Sequence, residues 1–593
     1  MAQKFVIEWL TFSLTFIRLV SANEKVDVIC DNILLSKPTI ACCLLFLLSF
    51  SLFNIGEYDI SGTDKQQPTV FIDEYHSTGW ESVYEPLDKQ NYGGQKSTYT
   101  YTTFLKTIEQ VYDVKVINSP EDYVSLTAND ILIIKTPTIS YEAEEIASIQ
   151  TFVNNGGGLW LIGDHTNLMS MGETLNSISS DFGINYKYDS VYDLQSGNLT
   201  TFDRSKMPIF PSALVSTIDY FKFATSCSIT SDIFTEKVII GNKVAMEKLD
   251  MSHPNFFGDL SLSESEYFGL AEQCVAKEVG KGRVVAYSDS TTFSSYSVLM
   301  KTNPELIFST LNYLKQTNSL SIFTVIAVFL LGCGVVLLVY KRKNVAFKSL
   351  VVIFVLAIPF GIFLSNCTKS SFSNKMSDAV NTDLLKIETV YFYNKDKEVL
   401  EHFVGQAYKT GEYNSLFIAF QRYGLFPREL YDLNRLVNDN AKAIVILDPS
   451  IITHDDLHIL DKYVAQGGKL LICTNSVIDE KLEIFSFFKI NYAPQNMFAL
   501  ISDESVTTES DSPYGLLTRS LIPYGQAFAD TYVSPQYANL SVDYFSYNHV
   551  GAVYVLHNSE LFDNIGLGDP GMPPTRAQAN MHDEFYAILD FVF

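Results

Sequence analysis

The feature that most constrains the fold of this chain is a strand–helix–glycine–strand unit. An apolar run at residues 131–134 (ILII) precedes a segment in which Ile146, Ile149 and Phe152 recur at helical spacing. Three glycines at 156–158 and a second apolar run at 159–162 (LWLI) follow. Short β-branched runs are typical of buried parallel strands, and glycines commonly end helices. The unit therefore predicts an open α/β sheet, whose ligands bind at the carboxyl ends of the strands.

The same unit occurs a second time, which indicates duplication of a whole domain. Residues 153–162 (VNNGGGLWLI) align with residues 464–473 (VAQGGKLLIC). Three further pairs of blocks align in the same order, beginning at 68 and 388, at 131 and 443, and at 282 and 551. This period is far longer than that of a solenoid repeat. Each copy alternates short strands with amphipathic helices, which predicts a mainly parallel sheet covered by helices on both faces.

The strands of the first copy can be placed individually. Its central strands are predicted near residues 69–72, 114–117, 131–134, 159–162 and 283–287. Residues 186–280 read as an insertion with two antiparallel strands, at 238–247 and 267–278. The second copy has a comparable polar stretch at 490–550.

Length, charge and cysteine content exclude several classes of protein. The chain has 593 residues, too many for one ordinary domain, and a formal charge of −25. That charge argues against a nucleic-acid surface. Eight cysteines without a CxxC pair fit neither a disulfide scaffold nor a zinc ribbon.

Three apolar stretches predict transmembrane helices, at 38–55, 319–340 and 349–366. The loop at 341–348 carries four cations and is predicted to be cytoplasmic. This orientation makes 1–37 a cytoplasmic segment, of which residues 5–20 read as an interfacial helix, with a span as the alternative. Residues 56–318 and 367–593 become two extracytoplasmic domains of a multi-pass cell-membrane protein. The alternative for the two longer stretches is buried core helices.

Two motifs resemble a known superfamily. FVNNGGGLWLIGDHTN and GKGRVVAYSDSTTFSSYSVLMKTNPELIFSTLNYL are similar to class I glutamine amidotransferase-like proteins of the membrane-associated bacterial branch. The resemblance covers most of 66–316 and, more weakly, 386–593. It implies two flavodoxin-like three-layer sandwiches. Active members carry a cysteine on the turn after the strand, where this chain has Gly163, Asp164 and His165, so the resemblance implies that glutaminase chemistry is lost.

One cysteine in the second copy lies near the position of that nucleophile. Cys473 aligns with Ile162, inside the strand and one residue short of the turn, and His557, at the end of another strand, is a candidate base for it. We therefore expect Cys473 to be buried and inert.

Polar side chains of the first copy are predicted to meet at one sheet edge, because they follow three of its strands. The predicted ligand-binding set is Asp73, Glu74, His76, Asp164, His165, Asn167, Asp289 and Ser290. Imidazole and carboxylate groups can bind a divalent metal, here through His76, Asp164 and His165. They can also act in acid–base catalysis, here through Asp73, His76, Asp164, His165 and Asp289. His253 could reach the same edge, and capping of helices and turns is the structural alternative for the whole set.

The second copy lacks this set. Asp73 corresponds to Tyr393, Asp164 to Asn475, His165 to Ser476 and Asp289 to Asn558. Any chemistry is therefore expected in the first copy, with the second copy supporting it.

Together these patterns predict a membrane-anchored protein with two non-glutaminase amidotransferase-like domains. Its expected role is binding or scaffolding at the outer face of the membrane, with envelope or transporter subunits as partners and no nucleic acid. The alternative is an enzyme, a metal-assisted or acid–base hydrolase that acts through the first domain. Imidazole and carboxylate groups within about 5 Å of one point would favour the metal enzyme, since metal–ligand distances are roughly 2.0–2.6 Å.

Overall fold

The chain forms two compact α/β units. The structure is a computed structural model that describes chiefly residues 67–89, 98–199, 223–247, 257–318, 389–393, 411–434, 441–474, 482–490 and 517–593, with short gaps in several of these ranges. The first unit contains Tyr112–Ser290, the described residues up to His76 and those between Glu305 and Asn381. The second contains Ser77–Val111, Thr291–Pro304 and the described residues after Thr382.

The strands and helices up to residue 318 follow the predicted alternation. The strands are β1 (Thr69–Asp73), β2 (Asp113–Ile117), β3 (Ile131–Lys135), β4 (Gly158–Ile162), β5 (Ile184–Tyr186), β6 (Ser190–Asp193), β7 (Ile229–Ser231), β8 (Glu236–Glu247), β9 (Tyr267–Val279) and β10 (Gly282–Tyr287). The helices are α1 (Thr102–Glu109), α2 (Ala143–Asn155), α3 (Met171–Ser179) and α4 (Asn303–Leu314).

The sheet of the first unit is mixed. Its order is β2-β1-β3-β4-β10-β9-β7-β5, and β8 pairs with β9 and β6. The strands from β2 to β10 are parallel, whereas β9 runs antiparallel to β10 and β8 antiparallel to β9. Helices α2 and α3 bury Ile149, Phe152, Leu175 and Ile178 against one face of the parallel strands. The predicted antiparallel pair of the insertion is confirmed as β8 and β9.

The second unit repeats this arrangement. Its order, β12-β11-β13-β14-β18-β17-β16-β15, begins with the same sequence of connections as the first sheet. The strands are β11 (Thr389–Tyr393), β12 (Phe426–Leu430), β13 (Ala443–Ile446), β14 (Lys469–Thr474), β15 (Leu517–Leu521), β16 (Phe528–Val533), β17 (Ser541–Tyr547) and β18 (Gly551–His557). The helices are α5 (Asn414–Arg422), α6 (His454–Ala465), α7 (Glu483–Phe487), α8 (Asn564–Leu567) and α9 (Arg576–Val592). This shared order agrees with the duplication that the aligned blocks predict.

Glycines fix the junction between helix and strand in the same way in both units. Gly156 and Gly467 end α2 and α6 with φ of +129° and +102°, a region that favours glycine. At the next residue, a Cβ on Gly157 would lie 2.4 Å from the ring of Phe152, and one on Gly468 would lie 2.4 Å from the ring of Tyr463. The aromatic ring can fold under the turn only because these residues have no side chain.

The fold class predicted from the sequence is wrong in two respects. The sheets are mixed rather than mainly parallel, because the strands of the polar insertions extend each sheet in antiparallel fashion. In addition, no helix in the described part of the chain has both the length and the apolar character needed to cross a bilayer, which contradicts the three predicted transmembrane helices.

Several predicted segments lie outside the described residues. They are 1–37, the loop at 341–348, and, apart from a few single residues, the stretches 38–55, 319–340 and 349–366. The extracytoplasmic placement of the two domains depended on those stretches and stays a prediction.

Candidate functional site

The predicted site residues of the first unit fall into two buried clusters at the carboxyl ends of the parallel strands. The first cluster surrounds Asp73, the last residue of β1. Its Oδ2 accepts hydrogen bonds from His76 Nδ1 at 3.0 Å and from the Tyr123 hydroxyl at 2.8 Å. The Tyr141 hydroxyl donates to the same oxygen, and the His76 backbone N–H donates to Oδ1 at 3.2 Å. This carboxylate is thus fully occupied by donors of the protein itself.

These contacts explain the ionisation of Asp73. Burial by itself would raise the pKa of the carboxyl, but the hydrogen bond and charge of His76, together with the two tyrosine hydroxyls, lower that pKa below its usual value. The His76 ring stacks on Tyr141 with centroids 3.7 Å apart, and its Nε2 lies 3.4 Å from Glu145 Oε2. The cluster therefore connects β1 to the start of α2.

Glu74, the next residue, pairs with a lysine that sequence reasoning missed. Lys135 ends β3, its side chain is fully buried, and its Nζ lies 2.9 Å from Glu74 Oε2. A buried lysine is costly unless it is paired, so this contact accounts for Glu74 without a ligand.

The second cluster surrounds Asp164, which follows β4. Ser290, which follows β10, donates its hydroxyl to Asp164 Oδ2 at 2.8 Å, and the His165 backbone N–H donates to Oδ1 at 2.7 Å. These contacts arise because β4 and β10 are neighbours in parallel register, which aligns the residues after their ends. The predicted meeting of Asp164, His165, Asp289 and Ser290 at one edge agrees with this geometry.

Burial shifts two pKa values in this second cluster. It raises the pKa of Asp164 to about 7, against the lowering effect of the hydrogen bonds from His165, Ser290 and Thr225. It lowers the pKa of His165 to about 3. At neutral pH the imidazole is therefore uncharged, while the carboxyl titrates.

Asp289, which follows β10, holds another part of the chain. Its Oδ2 accepts the backbone N–H groups of Ala224 and Thr225, the latter at 3.3 Å. The Thr225 hydroxyl also lies 3.5 Å from Asp164 Oδ1. The segment that passes over this edge comes from the insertion between α3 and β8, and nothing in its sequence pattern marked it as a partner of the carboxylates.

The turn after Asp164 has unusual backbone geometry. Thr166, Asn167, Met169 and Ser170 all have φ between +47° and +62°, and such left-handed conformations cost on the order of 1–3 kcal/mol each. The Asn167 side chain accepts the backbone N–H of Glu173 at 2.9 Å. Asn167 therefore serves the first turn of α3, as the structural alternative for this set predicts.

The two clusters have different partners. Asp73 and His76 contact Tyr123, Tyr141 and the start of α2, whereas Asp164 contacts Thr225 and the residues that follow β10. In the described residues, His76, Asp164 and His165 belong to no group of three metal-binding side chains whose ligand atoms lie within 4.8 Å of one another. The described group that meets this spacing is Glu247, Asp259 and Glu266, outside both clusters. His253 lies outside the described residues.

The second unit differs from the first at the residue that corresponds to Asp73. Tyr393, which replaces Asp73, is buried at the end of β11, while Asn475, Ser476 and Asn558 lie outside the described residues. Cys473 is buried inside β14, which confirms the predicted burial, and that burial raises the pKa of its thiol to about 12. His557 pairs instead with Asp543, with Nε2 3.0 Å from Oδ2.

Comparisons with known proteins leave the family open. No protein-family model and no curated protein matches the chain. Among solved structures, the mmIFT52 N-terminal domain matches with 10% identity and a TM-score of 0.31, over 42% of this chain and 99% of that one. A putative ThuA-like protein from Bacteroides uniformis has 12% identity and a TM-score of 0.22, over 45% and 91% of the two chains. The exo-β-1,4-mannosidase Op5Man5 from Opitutaceae bacterium strain TAV5 has 13% identity and a TM-score of 0.19, over 38% and 32%. These values are too low to support an assignment.

Proposed function

We propose that the first unit is a non-glutaminase, amidotransferase-like binding domain, which holds a small polar ligand at the Asp164–Asp289 edge. The observation that carries the proposal is that two buried carboxyl groups, at the ends of neighbouring parallel strands, contact the same residue, Thr225. Both carboxyl groups are almost fully buried, and ligands of open α/β sheets bind at the carboxyl ends of the strands, so the position of this pair favours a binding role.

The chemistry of the edge indicates the class of ligand. Both carboxyl groups now accept N–H and O–H donors, from Ser290, His165, Ala224 and Thr225. A ligand that takes their place has to offer similar donors, as amines, amino acids and sugars do. The unit then acts by holding that ligand, in keeping with the expected binding or scaffolding role.

The test is thermal unfolding of the full chain with a panel of amines, amino acids and sugars. At a concentration of 100 Kd, a ligand stabilises the folded state by about 2.7 kcal/mol. We expect at least one class to raise the Tm of the wild type and to have a much smaller effect on Asp289→Asn. Asp113→Asn, at an exposed aspartate on β2 of the same sheet, is the matched control. Equal shifts in the wild type and Asp289→Asn, or no shift with any class, would contradict the proposal.

An acid–base hydrolase is the second candidate, and one observation favours it. The pKa of Asp164 is raised to about 7, where a carboxyl group can both donate and accept a proton under neutral conditions. Hydrolysis of a glycoside, ester or phosphoester panel should then depend on pH with an inflection near 7. Asp164→Asn should abolish both the activity and the inflection, and an unchanged pH profile would exclude Asp164 as the acid.

A further inference from the structure

The Asp164–Asp289 edge is closed to solvent. The exposed fractions of Asp164, His165, Asp289 and Ser290 are 4%, 4%, 0% and 1%. A ligand of the proposed class cannot reach either carboxyl group while these contacts persist. Some part of the chain must therefore move before the ligand binds. Among the described residues, the segment 223–228 contacts both carboxyl groups, through Thr225.

This segment, which we call the strap, crosses the edge with a bend at Ala224 and Thr225. Its first residue, Phe223, stacks on Tyr287 at the end of β10, with ring centroids 5.1 Å apart. Ala224 and Thr225 donate to Asp289, and the Cys227 N–H donates to the Ser288 carbonyl at 3.2 Å. The strap thus lies across the residues that follow β10.

The far end of the strap is held by a third carboxyl group. Ser228 donates its backbone N–H to Asp189 Oδ1 at 2.7 Å and its hydroxyl to Oδ2 at 2.6 Å. Ser226 forms one isolated bridge to Val191. The strap is held by separate hydrogen bonds, including one from Gln273 Nε2 to the Ser226 hydroxyl at 2.6 Å, whereas a continuous ladder joins β9 to β10. Opening of the strap breaks these hydrogen bonds and exposes the fully buried Phe223 and Cys227, but it leaves the β9–β10 ladder paired.

We infer that the strap is an intramolecular lid, which occupies the acceptor groups of the Asp164–Asp289 edge and lifts to admit the ligand. The inference rests on the proposed binding function of that edge. It also defines the ligand further: because the strap satisfies Asp289 with two backbone N–H groups, a competing ligand needs closely spaced N–H or O–H donors.

Two buried cysteines provide the test. Cys227 lies on the strap, whereas Cys274 lies in β9, paired with Tyr287 of β10, and both are almost fully buried. Alkylation of the native full chain, followed by peptide mass spectrometry, measures how often each thiol becomes exposed. A lid that opens separately should let Cys227 react at least about tenfold faster than Cys274, because Cys274 reacts only when the sheet opens.

Variants locate the contacts that keep the strap closed. Asp289→Ala removes the acceptor of the hydrogen bonds from the Ala224 and Thr225 backbone N–H groups. It should accelerate alkylation of Cys227 by about tenfold or more, with little change at Cys274. Thr225→Val removes only the hydroxyl and should give a smaller acceleration, and it serves if Asp289→Ala fails to fold. Asp113→Asn should leave both rates unchanged.

Two outcomes would overturn the inference. If Cys227 and Cys274 react at the same rate in the wild type, the strap opens only when the unit unfolds. If Cys227 reacts as fast as a free peptide thiol, the strap is not closed in solution. Because alkylation needs no ligand, either failure is distinguishable from failure of the proposed binding function, which the ligand panel tests separately.

Discussion

Asp164 and His165 are neighbours in the chain, yet burial shifts their pKa values in opposite directions. Between about pH 4 and pH 7 the folded state keeps a proton on Asp164 that the unfolded state, with a pKa of 3.8, has lost. The free energy of unfolding therefore falls as the pH rises through that range. His165 has the opposite effect between about pH 3 and pH 6.5, because there the unfolded state binds a proton that the folded state does not. The two contributions oppose each other from about pH 4 to pH 6.5.

Asp164→Asn should uncover the contribution of His165. In this variant we expect the free energy of unfolding to rise more steeply between pH 4.5 and pH 6.5 than in the wild type, by up to about 1.4 kcal/mol per pH unit. Urea unfolding at a series of pH values measures the difference. Asp113→Asn is the control. If the unfolding free energy of Asp164→Asn changes with pH as that of the wild type does, the Asp164 carboxyl titrates as it does in an unfolded chain.

The sequence predicted part of each cluster. Asp164, Asp289 and Ser290 could be predicted to meet because residues that follow parallel strands lie along one edge of the sheet. Asp73 and His76 are three residues apart in a turn, so their contact is local. Tyr123, Tyr141 and Thr225 could not be predicted, because each reaches its carboxyl group from a distant turn or loop, and no periodic pattern records such contacts.

The junction of helix, glycine and strand is the element that both units share. In each, the second glycine gives room to an aromatic ring from the end of the helix, Phe152 in one and Tyr463 in the other. The sequence predicted the five central strands of the first unit to within one residue at each end, since their apolar runs are short and bounded. At the start of α2 the cap residue is Glu142, whose backbone N–H donates to Glu145 Oε2 at 2.7 Å.

Gly157→Ala and Gly468→Ala should each destabilise their own unit by about 1–3 kcal/mol, because the new Cβ would overlap the ring and force it to move. Urea unfolding of the full chain measures the loss. Gly79→Ala is the matched control, since a Cβ there would make only an ordinary contact, at 3.5 Å from Glu81. Replacement of the ring in Gly157→Ala/Phe152→Leu should recover part of the stability, and no recovery would argue against the ring as the cause.

The mixed character of the sheets could not be predicted from the alternation of strands and helices in the sequence. Alternation of strands and helices specifies the parallel half, in which each strand is followed by a crossover helix. The antiparallel half comes from the insertions, where pairing joins residues that no local signal connects, such as Ile229 with Glu272.

The division into units differs from the division of the sequence into two copies. Segments 77–111 and 291–304 belong to the second unit, although they precede the second copy in the chain. Within that unit, the Thr103 hydroxyl donates to Gln421 at 3.0 Å, and Lys301 Nζ lies 3.3 Å from Glu429 Oε2. Sequence comparison locates copies by similarity, and similarity does not show which core a helix such as α1 joins.

A fragment of residues 367–593 should therefore be unstable by itself. It lacks Thr103, Lys301 and the α1 side chains that contribute to its unit, so apolar surface stays exposed. Limited proteolysis should cleave it much faster than it cleaves the same region of the full chain, and co-expression with residues 1–318 should restore protection. If the separate fragment resists proteolysis as well as the full chain does, segments 77–111 and 291–304 are not needed for the stability of the second unit.

The dispersed membership of the second unit has a consequence for synthesis on the ribosome. Chains emerge from the amino terminus onwards and domains generally fold as they appear. Here α1 leaves the ribosome long before β11–β18 and α9, which belong to the same unit. The apolar residues of α1 therefore have no core to pack against for most of translation. Codon usage and chaperone supply between residues 111 and 593 should therefore influence the yield of native protein more than they would for two domains laid end to end.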